Sequence, residues 1–106
     1  MNKTEKWLLD EIKGIVTDLD PKAKVYLFGS RSKGTSKKMS DWDLLILLNK
    51  KKITFEDENK ITNPLYDLEF ETGEVIIPMV YSENEWDTKY KITPFYQKVM
   101  RSAILL

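Results

Sequence analysis

Lys24-Val25-Tyr26-Leu27-Phe28-Gly29-Ser30-Arg31-Ser32-Lys33-Gly34, a short basic spacer, and Ser40-Asp41-Trp42-Asp43-Leu44-Leu45-Ile46-Leu47-Leu48 form the stretch whose reading decides the fold. Val25 to Phe28 is too short for a helix and is cut off by Gly29, so it reads as a strand. Leu44 to Leu48 is an unbroken apolar run of strand length, the pattern of a strand covered on both faces. Gly29 to Lys38 is rich in Gly, Ser, Thr and Lys and reads as a loop, with room for a short helix near Ser30. Two carboxylates, Asp41 and Asp43, stand at the mouth of the second strand.

Working outward, the segment from Thr4 to about Leu19 carries Leu8, Ile12, Ile15, Val16 and Leu19 at helical spacing, with Thr4 as an N-cap. Asp20-Pro21 ends it, because the residue before proline is pushed out of helical geometry. Beyond the second strand, Asn49 marks a turn, and Lys50-Lys51-Lys52 is a solvated strand end or a contact for phosphate or RNA. A helix is expected to start after Thr54, with a bend at Pro64, and to stop at Gly73, supplying the crossover that a third strand needs. Glu74 to Tyr81 is that strand, and Pro78 places it at an edge or a bulge. From Thr93 or Pro94 onward, Phe95, Tyr96, Val99, Met100, Ala103 and Ile104 have helical spacing. The apolar end Ile104-Leu105-Leu106 suggests a buried tail or a surface covered by a partner or a second copy, so an oligomer is also compatible.

The fold class that follows is α/β in the α+β sense: a small mixed β-sheet flanked by helices, in one domain over residues 1–106. A chain of 106 residues can bury one core unaided. Cysteine and histidine are both absent, which removes zinc fingers, thiol nucleophiles and imidazole bases together. Chemistry must then rest on carboxylates, hydroxyls, Lys and Arg. Seventeen basic residues balance seventeen acidic ones, so there is no strong nucleic-acid signal. No apolar run approaches the roughly 20 residues of a membrane span, and Met1 to Lys6 lacks a signal-peptide apolar region. A cytoplasmic protein is expected.

Asp41 and Asp43 are one residue apart, so in a strand both carboxylates share a face about 6–7 Å apart along the backbone. Such a pair suits a hard divalent cation, although it is also what a solvated strand edge looks like. Gly29 allows close backbone approach, and Ser30 offers a hydroxyl and N–H groups to a phosphate; the same pair also serves as an ordinary strand-to-helix turn. Arg31 can neutralise phosphate or pair with surface acids, and Lys33 leans to the surface. Trp42 points to the opposite sheet face, under a helix, with nucleobase stacking as the lesser reading, and Trp86, Tyr90, Phe95 and Tyr96 read as core or interface rather than as a base platform.

Taken together, Gly29-Ser30-Arg31-Ser32-Lys33-Gly34 and Ser40-Asp41-Trp42-Asp43-Leu44-Leu45-Ile46 resemble the signature of the polymerase-beta-like nucleotidyltransferase superfamily, particularly its minimal nucleotidyltransferases. The resemblance implies the family's minimal core, with Gly29, Ser30 and Arg31 at the phosphates of a nucleotide. It makes Asp41 and Asp43 both the catalytic pair and the ligands of Mg²⁺, or Mn²⁺ in its place. It implies transfer of a nucleoside monophosphate from ATP or another nucleoside triphosphate to a hydroxyl of a protein or small molecule. A role as the antitoxin half of a two-protein pair with a HEPN-type partner is implied as well. The family pattern also has a third carboxylate on a following strand. Here Val75-Ile76-Ile77-Pro78-Met79-Val80 has no central acid, and Glu74, Glu69 and Glu71 are the substitutes at hand. The alternative is therefore a catalytically silent binding module with the same fold, acting as an antitoxin or regulatory subunit.

Overall fold

The computed structural model describes residues 3–33 and 41–106; Gly34 and Ser40 of the motif lie outside them. Among the described residues the chain runs α1 (Lys3–Leu19), β1 (Lys24–Phe28), a 3-10 turn (Gly29–Arg31), β2 (Trp42–Leu48), α2 (Phe55–Thr72), β3 (Ile76–Ser82), α3 (Glu83–Asp87), α4 (Pro94–Ser102) and β4 (Ile104–Leu105). The sheet order is β3-β2-β1-β4. β1 is antiparallel to β2 and β4, whereas β2 and β3 are parallel. This is the mixed sheet with flanking helices that the sequence led us to expect. No helix among the described residues is long and apolar enough to cross a membrane.

The parallel pair follows from α2, which carries the chain back across the sheet before β3 begins. α2 starts on a capping box in which Thr54 and Asp57 satisfy each other's backbone N–H groups, and Lys50 pairs with the Asp57 carboxylate. It continues through Pro64 as one helix and ends at Gly73, whose φ of 74° is the left-handed geometry glycine favours. Asp20 ties the end of α1 to the end of β2, its carboxylate accepting the Asn49 N–H at 2.8 Å and the Lys22 N–H at 3.1 Å. Pro78 is tolerated because β3 has β2 as its one neighbour in the sheet, leaving the other edge without ladder bonds to lose.

Alternation along β2 divides the core. Trp42, Leu44, Ile46 and Leu48 face α1 and α2, where they pack with Leu8, Ile12, Val16, Ile61, Leu65 and Leu68. Leu45 and Leu47 face the other way, against Trp86 of α3 and Val99 of α4, with Tyr81, Tyr90, Phe95 and Tyr96 around them. Ring centroids of Trp86 and Tyr96 lie 5.0 Å apart and those of Trp86 and Phe95 5.9 Å, so these aromatics are core.

Three local expectations are corrected, and one element, α3, has no counterpart in the sequence reading. α1 already includes Lys3, so Thr4 lies inside its first turn rather than capping it. β3 starts at Ile76, because the Ile76 N–H is taken by the Glu69 carboxylate at 2.7 Å, which ends the α2 connection there. The short α3 is nucleated by Ser82, whose hydroxyl accepts the Glu85 N–H, a cap signal hidden behind an apolar strand. The last helix stops at Ser102, because Ile104 and Leu105 pair with Leu27 and Tyr26 and the Leu106 N–H reaches the Val25 carbonyl at 2.9 Å. Ladder bonds to β1 outweigh the helical periodicity that Ala103 and Ile104 continue.

Candidate active site

The site is built where β1 ends and β2 begins. Phe28 and Asp43 are register partners across the antiparallel pair, so the residue after Phe28 lies beside the Asp43 side chain. That residue is Gly29, with φ of +77°, and a Cβ on it would stand 2.5 Å from Asp43 Oδ2. Glycine is required there twice over, by the left-handed backbone and by the approach of the carboxylate. The turn is pinned by its own carbonyl: Gly29 O accepts the Ser32 hydroxyl at 2.8 Å and the Ser32 and Lys33 N–H groups.

Asp43 is partly buried and Asp41 is exposed at the strand entrance. Burial first, and then the negative charge of Asp41, push the Asp43 carboxyl above its ordinary value. Beside Asp43 opens a cleft of about 280 Å³ lined by Phe28, Gly29, Lys33, Met79, Phe95, Lys98, Val99 and Ser102. Its far wall is α4, which no local signal connects with the motif. A larger hollow of about 480 Å³ lies at the opposite end of β2, around Leu48, Lys50, Glu83 and Asp87, and does not include either motif carboxylate.

Arg31 is brought to the other face. Its guanidinium lies 4.0 Å from the Trp42 ring centroid, and its side chain, 7% exposed, reaches Glu5 at 3.3 Å and Glu74 at 3.7 Å. Glu74 also accepts the Trp42 indole N–H at 3.1 Å. Glu69 and Glu74, two of the three candidate substitutes for a third acid, are thus engaged away from Asp43. The β3 residue in register with Asp43 is Ile77, 39% exposed. Among the described residues no three acidic side chains are gathered around one point.

A family model for a nucleotidyltransferase domain matches residues 9–100. None of the curated proteins matches the sequence. Among solved structures, a chain from a crystal structure of a toxin-antitoxin with AMP-PNP superposes with a TM-score of 0.63 at 21% identity, over 91% of this chain and 69% of that one. At that identity the likeness speaks for the fold. The sheet order, the glycine turn against Asp43 and the match across residues 9–100 agree: the chain belongs to the nucleotidyltransferase domain family.

Proposed function

We propose that residues 1–106 form one Mg²⁺-dependent nucleotidyltransferase domain that moves a nucleoside monophosphate from ATP or another triphosphate to a hydroxyl of a protein or small molecule. The observation that carries this reading is the contact between the Gly29 turn and Asp43, where the absent Cβ leaves phosphate and carboxylate sites side by side. In this reading Gly29 and Ser30 hold the triphosphate, Arg31 stands behind the same turn, and Asp41 and Asp43 hold the metal. The donor set fits a hard divalent cation: two carboxylates at the entrance of one strand, one of them held toward its acid form first by burial and then by the other's charge. Such a cation, Mg²⁺ or Mn²⁺, supplies charge neutralisation on the phosphates when bound. The chain's own residues orient the substrate and present the two carboxylates at the entrance of one strand beside the glycine turn. The acceptor oxygen forms a bond to the α-phosphorus as the bond to the leaving pyrophosphate breaks and the hydroxyl proton passes to solvent water, and positioning carries most of the acceleration.

AMP-PNP in the toxin-antitoxin structure supports an adenine nucleotide as the first ligand to try, and that assembly supports a toxin partner, for which a HEPN-type protein is our choice. A cytoplasmic setting accords with this reading. Isothermal titration of ATP with Mg²⁺, beside the Asp41→Asn, Asp43→Asn double variant of confirmed fold, is the test. Metal-dependent binding lost in the variant is expected; no binding of any nucleoside triphosphate by the wild-type chain sinks the proposal.

Ile77 opposite Asp43, with Glu69 and Glu74 occupied elsewhere, favours one second reading: a catalytically silent module that binds the metal-nucleotide complex and serves as an antitoxin or regulatory subunit. Turnover of α-labelled ATP in the presence of the partner separates the two.

A further inference from the structure

We infer that Arg31 and Glu74 are positioning residues that clamp the glycine turn to the carboxylate strand from the rear face of the sheet. Arg31 closes the turn and Trp42 separates the two aspartates, so the contact between guanidinium and indole joins the two halves of the motif. Glu74, just before β3, holds both members, accepting the Trp42 indole N–H at 3.1 Å and lying 3.7 Å from Arg31 Nη2. Glu5 adds α1 to the same cluster at 3.3 Å. Three separate parts of the chain therefore converge on the Arg31 side chain, which is 7% exposed.

The physical case is one of geometry. An Arg stacked on an aromatic face is planar and fixed by its fork of donors, and lysine reproduces neither property. Because Trp42 and Asp43 are adjacent in a strand, holding the indole on the rear face fixes the rotation of the strand that presents Asp43 on the front. Holding Arg31 fixes the end of the turn that begins at Gly29. The clamp thus sets the spacing between the turn and the carboxylate, which the 2.5 Å position of a Gly29 Cβ against Asp43 Oδ2 shows to be tight. It also assigns a role to Glu74, the acid nearest to the missing third carboxylate in sequence: it supports the pair from behind.

The functional part of this inference rests on the nucleotidyltransferase reading, so the test has one arm that does not. Glu74→Gln keeps an acceptor for the indole N–H and removes the negative charge that faces Arg31; Arg31→Lys keeps the positive charge and removes the fork. Amide exchange of the folded variants is expected to quicken by about tenfold at Ser32 and Lys33, whose N–H groups reach the Gly29 carbonyl, as for loss of a part-buried charged hydrogen bond, and not at Lys24 to Tyr26. Mg²⁺-ATP affinity, measured well below the melting temperature, is expected to fall by about tenfold in each variant, as small misplacements of binding groups do. Lys60→Ala, which breaks an exposed pair with Glu56, serves as a control that moves neither. Unchanged exchange at Ser32 and Lys33 overturns the clamp. Tighter ATP binding in Glu74→Gln also overturns it, because Arg31 would then be a phosphate ligand that Glu74 restrains. Absence of ATP binding by the wild-type chain counts against the nucleotidyltransferase reading alone, and the exchange arm then decides the clamp.

Discussion

Asp43 is the residue on which folding and binding pull in opposite directions. Its carboxyl titrates above the ordinary range, chiefly because it is partly buried and then because Asp41 is near. In the interval between the unfolded and folded values the native chain holds more protons than the unfolded one, so stability falls as pH rises and the full cost is present at neutral pH. Asp43→Asn should therefore raise the melting temperature of the ligand-free chain at neutral pH and leave it nearly unchanged below about pH 3.5, where the carboxyl is protonated in both states. The same variant should lose metal-dependent ATP binding, and the wild-type affinity should weaken as pH is lowered into the range just above ordinary carboxylates. Thermal melts and titrations at several pH values check this. A destabilised Asp43→Asn at neutral pH would show that the carboxylate is held by favourable contacts rather than strained. The pair and the glycine were legible in the sequence because each is a local signal: a period of two puts both acids on one face, and glycine marks the close approach. The face chosen by Arg31 was not legible, because it depends on where Glu5 and Glu74, remote in sequence, arrive.

At the scale of elements, register decides what stands next to the carboxylates. β2 and β3 are parallel with Asp43 opposite Ile77, so those two side chains share a face about 5 Å apart at the backbone. The sequence named Glu69, Glu71 and Glu74 as substitutes for a third acid because it extended β3 back to Glu74. The strand begins at Ile76, and of these Glu69 and Glu74 are spent on the Ile76 amide and on Trp42. Which acid faces the site depended on a boundary, and boundaries are set here by a side chain seven residues away in α2. Ile77→Asp should put a third carboxylate beside the pair. Because Ile77 is 39% exposed, the change should cost no more than about 1 kcal/mol, the span of strand propensity. The concentration of Mg²⁺ needed for half-maximal ATP binding should fall, read from titrations at fixed ATP. No change in Mg²⁺ dependence would mean that Ile77 does not look onto the metal position.

For the whole molecule, the two faces of the sheet are unequally supported. The rear face buries long stretches of α1 and α2 against β1, β2 and β3 in one continuous cluster. On the front, the fully buried side chains are Leu45, Leu47, Trp86 and Val99, with partly exposed aromatics around them. The front layer therefore holds less apolar surface away from water, and opening it without unfolding the rest costs less. That layer includes α4, whose Phe95, Lys98, Val99 and Ser102 wall the cleft beside Asp43. The helix was readable from its period and from Thr93-Pro94, but its place at the site was not, since nothing local says which face of the sheet a late helix covers. Native-state hydrogen exchange should find amides of α4 exchanging through an opening cheaper than global unfolding, while those of Leu44 to Ile46 exchange with it. Mg²⁺-ATP should then raise protection in α4 more than in α1, because a ligand seated between α4 and β2 must leave before that layer opens. Equal protection of α4 and β2 without ligand would mean that the aromatic cluster supports the front as firmly as the helices support the rear, and that the cleft wall is rigid from the start.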